Sequence, residues 1–321
     1  MNNLLARQAW SIFWMARQVE RANNLARILD INESFSRDTR GGHDWEAVLR
    51  IFGNLEQFRE TDRQADAEAV IHYCVLDEAN PSSVRSCIAS ARENARALRP
   101  LISTEMWVQL NGFHNRLQRL RRPDLKVEKL SQLCDYIKVS CQTHGGITAE
   151  TLYHDESWYF HQLGRSLERA DQTTRLVDVK YEVLLPRDHG VGSPIDEAQW
   201  NTLLRSAAGF HAFRRMHSRD MSPNMVVGFL VLDPRFPRSV TSCLLAANNS
   251  LHELRLKYGH QSKRAASNLL RKLTAGLVEE TAGDLIGRGL HEALEEIQVD
   301  IARVTDALGR EFFLLEADSA A

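Results

Sequence analysis

Two stretches of this chain decide its fold, WSIFWMARQVERANNLARILD (10–30) and WYFHQLGRSLERADQTTRLVD (158–178). At a fixed offset of 148 they share seven identities in twenty-one positions, whereas ordinary composition would give roughly one. Five of the seven are charged, so a specific charge pattern occurs twice. The shared residues are Trp10, Arg17, Glu20, Arg21, Ala22, Arg27 and Asp30, which recur as Trp158, Arg165, Glu168, Arg169, Ala170, Arg175 and Asp178.

Both stretches have the apolar spacing of an α-helix, because their apolar residues recur at steps of three and four. In the first stretch these are Ile12, Met15, Val19, Ala22, Ala26 and Leu29. Phe160, Leu163, Leu167, Ala170, Thr174 and Val177 occupy the same face in the second. Asp155 or Ser157 is a suitable N-cap for the second helix.

The repetition continues beyond these helices. A polar loop containing glycine follows each of them, at 36–44 and 186–194, and VLDEANPSSVRSC (75–87) matches VLDPRFPRSVTSC (231–243). The stretch VVGFLVL is ambiguous between strand and helix, and nothing else resembles a strand. We therefore predict an all-α fold, built from two helical-bundle repeats at 1–150 and 151–318. Pseudo-two-fold symmetry would relate the repeats within one body.

Composition excludes several classes of function. The formal net charge of −2 gives no electrostatic reason to bind nucleic acid. No apolar run reaches the eighteen or so residues of a membrane span, and charged residues interrupt the N-terminus where a signal peptide would be apolar. Five cysteines without a C-x-x-C spacing indicate reduced thiols rather than a zinc site. We predict a cytoplasmic protein with no metal, no cofactor and no membrane contact.

The repeated charges form one stripe on each helix. Its members are Phe13, Arg17, Glu20, Asn24, Arg27 and Ile31 in the first copy, and His161, Arg165, Glu168, Gln172, Arg175 and Val179 in the second. The arginine fork suits bidentate pairing with carboxylate or phosphate. Because arginine outnumbers glutamate, the stripe is typical of an anion-binding site.

Three interpretations of the stripe remain open. It is a buried ion network that fixes how the repeats dock, a ligand or catalytic site, or a surface for a partner protein. Its occurrence in both copies argues against solvated decoration, where such pairs contribute only a few tenths of a kcal/mol. Burial separates the first two, since a dry, fully paired network favours a scaffold and an open cleft with spare arginine donors favours a site.

Three motifs resemble the bacterial alpha-E proteins, at 14–22, 163–181 and 229–240. The likeness extends over nearly the whole chain. It implies an all-helical protein and a partner of the circularly permuted ATP-grasp ligase type. Transglutaminase-like peptidases and proteasome-like hydrolases often accompany such proteins. The resemblance also implies a role in ribosome-independent peptide synthesis or tagging.

The resemblance supplies candidate site residues. We predict Glu168 and Glu20 as catalytic candidates. The predicted ligands of an anionic peptide or amino acid are Arg17, Arg21, Arg165, Arg169, Asp171, Arg175, Asp178 and Arg238. In the preferred hypothesis Arg165, Arg169 and Arg175 hold the anionic group, and Glu168 orients them or accepts a proton. The first copy departs from the family pattern at Asn23 and Asn24, which favours the second copy.

The sequence therefore predicts a non-ATP-binding helical component that handles substrate beside an ATP-grasp ligase. Whether the protein is itself an enzyme stays open. The alternatives are a helical scaffold with no active site, and a transferase or hydrolase that acts alone.

Smaller features carry their own expectations. FPRSV (236–240) predicts a Pro-Ser helix start that places Arg238 near a helix N-terminus. His161 is either a general base or a packing residue. We read His144-Gly145-Gly146 as a helix stop, the basic run 116–126 as a helix end, and the five cysteines as core residues.

Overall fold

The computed structural model describes residues 4–38, 45–183, 194–217, 221–259 and 264–313, and these residues form helices and connecting turns without a strand. The predicted all-α fold is thereby confirmed. The tandem duplication with pseudo-two-fold symmetry, and the division at residue 150, stay predictions. The predicted loops at 36–44 and 186–194 lie largely outside the described residues.

The helices of the first half are α1 (Ala6–Asp38), α2 (Trp45–Ile51), α3 (Leu55–Arg59), α4 (Ala67–Val75), α5 (Val84–Ala97), α6 (Thr104–Arg119) and α7 (Val127–Thr151). Those of the second half are α8 (Glu156–Val183), α9 (Pro194–Ser206), α10 (Phe210–Met216), α11 (Pro223–Val227), α12 (Val240–Tyr258), α13 (Ala265–Glu279), α14 (Ala282–Gly287) and α15 (Leu290–Phe312). A 3₁₀ turn at Arg122–Leu125 and a π-helical turn at Gly228–Leu232 complete the described elements.

The two repeated helices, α1 and α8, pack against each other at the centre of the molecule. Helix α1 also packs on α5 and α7, and α8 packs on α12 and α15. Helix α1 is consequently buried on most sides, and its predicted apolar face is entirely in the core. Because neighbouring helices also cover this side of α1, the charged stripe beside the apolar face is buried as well. Its Arg17, Glu20 and Arg27 are each less than a tenth exposed.

A glycine sets how closely the central helices approach. A Cβ added at Gly164 of α8 would overlap the backbone carbonyl oxygen of Phe13 in α1. The residue at the equivalent position of the first stretch is Ala16. The contact between α1 and α8 is thus tight enough to require glycine on one side.

Most predicted helix boundaries are confirmed. The carboxylate of Asp155 accepts the Ser157 N–H at 2.8 Å at the start of α8. Ser239 caps α12 through its hydroxyl oxygen, as the Pro-Ser start at 236–240 predicts, and Ser83 caps α5 in the same way. The stretch 226–232 is helical rather than a strand.

The prediction of a helix stop at His144-Gly145-Gly146 is wrong. These residues lie inside α7, which continues to Thr151. Two internal glycines are each unfavourable by about 1 kcal/mol relative to alanine. Packing on the core outweighs that penalty, since Cys141, His144 and Thr148 are buried at helical spacing.

Candidate functional site

Glu168 lies in a closed ion cluster between the central helices. Its side chain is fully buried and accepts N–H groups from Arg17 and Arg21 of α1, each at 2.7 Å. Burial alone would raise the pKa of Glu168, but Arg21 and Arg17 outweigh it and lower that pKa to about 2. Glu168 is therefore ionised and dry, as in a structural ion pair.

Glu20 lies in a second cluster, whose cations come from the other half of the chain. Arg169 of α8 donates to both carboxylate oxygens at 3.0 and 2.7 Å. Arg238, just before α12, donates to Glu20 at 3.0 Å and to the Asn24 side-chain oxygen at 2.8 Å. Burial opposes ionisation of Glu20, but Arg169 and Arg238 hold its pKa well below the ordinary value.

The pairing between the halves is reciprocal. Each Glu-Arg dipeptide gives its arginine to the glutamate of the other, since Arg21 pairs with Glu168 and Arg169 pairs with Glu20. Further along the same two helices, a second pair of arginines also reaches across to the opposite half of the chain. Arg27 of α1 donates to the last carbonyl of α9 at 2.6 Å, and Arg175 of α8 donates to the last carbonyl of α2 at 2.8 Å.

A pocket of about 220 Å³ opens beside Glu20, and we call it the Glu20 pocket. Helices α1, α7 and α8 and the residue before α12 form its wall. Its polar lining residues are Glu20, Asn23, Gln142, His144, His161, Arg165, Arg169 and Arg238. Three arginines face one glutamate there, so the pocket has an excess of positive charge.

Arg165 supplies that excess. Arg169 and Arg238 are paired with Glu20, whereas Arg165 donates to the neutral side-chain oxygen of Gln162. Within the described part of the chain, no carboxylate lies within ion-pairing distance of Arg165. Burial and the neighbouring Arg169 lower its pKa, yet an arginine side chain remains charged. Its guanidinium is therefore available to an anion.

Two histidines of the pocket are buried and neutral. Burial lowers the pKa of His144 to about 4 and holds the pKa of His161 well below its usual value. Each is 2% exposed, and each has one ring nitrogen without a hydrogen-bond partner. Buried polar atoms are normally satisfied by protein, water or ligand. These nitrogens therefore mark places where a bound molecule would gain contacts.

The structure does not bring all predicted site residues together. Arg175 pairs with Asp171 at 2.9 Å rather than joining Arg165 and Arg169. Asp178 accepts from His291 of α15 at 2.9 Å when that ring carries a proton on Nδ1. Arg175 and Asp178 line a different pocket, of about 290 Å³. The carboxylate that shares a pocket with Arg165 and Arg169 is Glu20. Glu168 pairs instead with Arg17 and Arg21.

Sequence reasoning missed the contribution of α7. Gln142 and His144 line the pocket from that helix, and neither was a candidate. His144 occupies a core position of α7, between Cys141 and Thr148. An ionisable residue on an otherwise buried helix face is a signal that could have identified it.

Burial thus supports a different interpretation for each of the two ion clusters in the charged stripe. The Glu168 carboxylate is fully buried and paired with two arginines, as the scaffold interpretation requires. The Glu20 cluster borders a pocket with a spare arginine, as the site interpretation requires. Among the described residues, no three His, Cys, Asp or Glu side chains are grouped to hold a metal ion. No described helix combines the length and apolar character needed to cross a lipid bilayer.

Comparison with known proteins places the chain in a family. Curated relatives include uncharacterized proteins of Mycobacterium bovis and Mycobacterium tuberculosis, each 22% identical over 325 residues. The match covers 92% of this chain but 36% of each relative, so the chain spans about a third of their length. No solved structure matches the chain.

A family model described as a predicted alpha-helical domain with a conserved ER motif matches residues 4–313. The Glu-Arg dipeptide occurs in this sequence at 20–21 and 168–169 and nowhere else. These are the two dipeptides that exchange ion pairs across the central helices. The chain belongs to the Alpha-E family of alpha-helical domains.

Proposed function

We propose that this protein binds the acidic group of a peptide or amino acid in the Glu20 pocket, as the substrate-handling component of an amide-bond-forming system. The observation that carries the proposal is the Arg165 guanidinium, which lines the pocket without a carboxylate partner. A charged donor in a partly dehydrated site binds an anion about twice as strongly as a neutral donor does.

The other two arginines give the site its rigidity. Arg169 and Arg238 are each held by Glu20, so their positions are set before any ligand arrives. Preorganised donors gain affinity because little side-chain entropy is lost on binding. In this proposal Arg165 binds the acid group, Glu20 fixes the neighbouring cations, and Glu168 serves the fold.

The proposed partner is a circularly permuted ATP-grasp ligase, with a transglutaminase-like protein as a second candidate. This part of the proposal is carried over from the Alpha-E resemblance. The ligase would bind ATP and activate a carboxylate, and this chain would present or receive the peptide. We propose a cytoplasmic location for the complex, where ATP would be supplied to the ligase.

Calorimetry tests the anion site. We expect a carboxylated dipeptide to bind the wild type and to bind Arg165→Gln about tenfold more weakly, since one charge-assisted contact is lost. Arg175→Gln is the matched control, because Arg175 lies on the same helix stripe but pairs with Asp171 outside the pocket. Equal affinity of the wild type and Arg165→Gln would sink the proposal.

A reconstituted reaction tests the partnership. ADP release and amide formation by the ATP-grasp protein should require this chain, and Arg165→Gln should lower both. Full activity of the ligase alone would contradict the proposed role.

A scaffold without a site is the second candidate function, favoured by the fully buried and paired Glu168 carboxylate. In that case the ligase would bind the wild type and Arg165→Gln equally well, and neither would bind the dipeptide.

A further inference from the structure

The Glu20 pocket offers an unpartnered hydrogen-bond acceptor as well as a spare cation. The acceptor is His144, whose Nδ1 lies against Gln109 of α6 and whose side chain lines the pocket. The Gln109 amide nitrogen donates to the Ser140 carbonyl at 2.8 Å. Gln109 Oε1 is therefore the atom that lies 3.1 Å from His144 Nδ1.

That arrangement fixes the tautomer of His144. Since Gln109 Oε1 can only accept, Nδ1 of His144 carries the proton. Nε2 of the neutral ring then has a bare lone pair. Nε2 is buried and has no hydrogen-bond partner, although His144 lines the pocket. A buried acceptor of this kind is unfavourable until a donor reaches it.

A second acceptor lies nearby. Asn23 is 4% exposed and also lines the pocket, and its Oδ1 has no hydrogen-bond partner. Glu20 lies in the same wall, but Arg169 and Arg238 are already paired with it. One part of the pocket therefore offers acceptors to an N–H donor, while Arg165 favours a negative group.

Size restricts the ligand further. A volume of about 220 Å³ is below the roughly 300–1,000 Å³ of sites for drug-sized molecules. The pocket suits a single small residue rather than a folded peptide or a nucleotide.

We propose that the Glu20 pocket binds a small zwitterion of the α-amino acid class. Its carboxylate lies on Arg165, and its ammonium donates to His144 Nε2 and Asn23 Oδ1. This inference rests on the function proposed above and deepens it, because it assigns the pocket to a free amino acid rather than to any acidic group. His144 and Asn23 are then specificity-determining residues.

Three probes separate the two groups of the ligand in calorimetry: glycine, acetate (its acid half) and methylamine (its amine half). Glycine should bind the wild type about tenfold more tightly than acetate, because the ammonium adds hydrogen bonds that involve a charge. Methylamine should bind far more weakly than glycine. In His144→Phe, which removes one of the two acceptors, glycine should lose most of its advantage over acetate while the affinity of acetate is unchanged.

Nitrogen NMR of the wild type provides a measurement that does not depend on a folded variant. Glycine should shift the His144 Nε2 resonance, and acetate should leave it in place. Equal binding of glycine and acetate, or an unchanged Nε2 resonance, would overturn the inference. If acetate still depended on Arg165 in that case, the anion site would stand. If neither probe depended on Arg165, the proposed function would fall as well.

Discussion

At the scale of single residues, Glu20 and Glu168 show how one motif acquires two environments. Both are buried and both accept two arginines, but only Glu20 borders a pocket. The sequence predicted which charges matter, because the stripe follows from helical spacing. It could not predict the pairing, since a stripe does not say which facing helix its arginines reach. The crossing of α1 and α8 decides that.

Replacing Glu168 with Gln should destabilise the fold by about 3–5 kcal/mol, because Arg17 and Arg21 would lose the buried carboxylate with which both pair. Glu20→Gln should lose less, since Arg169 and Arg238 border a pocket that water can enter. Chemical denaturation measures both. The control is Glu56→Gln, whose side chain is 82% exposed and whose loss should stay within about 0.5 kcal/mol. Equal small effects at all three positions would contradict a structural Glu168 cluster.

The Glu168 contribution should depend on pH in a defined direction. The pKa is lowered from 4.5 to about 2 in the folded protein, so the stabilisation is present above 4.5 and disappears as pH falls through 2. By linkage, the ionised Glu168 side chain stabilises the fold by about 3 kcal/mol at pH values well above 4.5. The difference in unfolding free energy between the wild type and Glu168→Gln should shrink across that range. A constant difference from pH 6 to pH 2 would rule out an ionised Glu168.

At the scale of elements, the sequence predicted the central helices and the Pro-Ser start of α12. It failed at α7, where the pattern His144-Gly145-Gly146 resembles a helix end. The failure has a physical cause, because local propensity is a weak term that burial against α1 outweighs. For the same reason His144 was not predicted as a site residue, since a residue at a helix stop is not expected in a core.

Gly164→Ala should weaken the packing of α1 against α8. The new methyl group would overlap the Phe13 carbonyl oxygen, and forced shifts of this kind are typically unfavourable by about 1–3 kcal/mol. Gly146→Ala is the matched control, since nothing lies within 4 Å of a Cβ at that site in α7. That variant should be neutral or more stable by up to about 1 kcal/mol. Thermal unfolding of both would show the contrast, and equal melting temperatures would contradict the close approach.

At the scale of the whole molecule, the two halves of the chain interlock rather than simply touch. Helix α1 packs on α8 and α9, and α8 packs on α1 and α2. The sequence predicted helices and a repeat, but interlocking requires knowledge of which helix ends meet. In the structure, Arg27 and Arg175 each donate to the end of a helix from the opposite half.

Residues 1–150 expressed alone should not fold stably. Their Arg17 and Arg21 would lose Glu168, and the face of α1 that packs on α8 would be exposed. Circular dichroism and size-exclusion chromatography should show low helicity or aggregation, and co-expression with 151–321 should restore a folded complex. Cooperative unfolding of the isolated half would show that the halves are independent.

The native protein should also protect its thiols. All five cysteines are buried, and burial raises the pKa of Cys74 and Cys87 to about 12 and that of Cys243 to about 11. The reactive thiolate is therefore scarce at neutral pH. A thiol-specific dye should label the native protein slowly and all five sites in denaturant. Rapid labelling of the native protein would contradict this core.

The reciprocal pairing of the two Glu-Arg dipeptides has a consequence for how such a sequence can change over time. Losing one glutamate leaves the arginine of the other dipeptide buried without compensation, so a single substitution harms a partner about 150 residues away. Neither dipeptide can drift while the other is kept. Selection on the fold alone is therefore sufficient to preserve both.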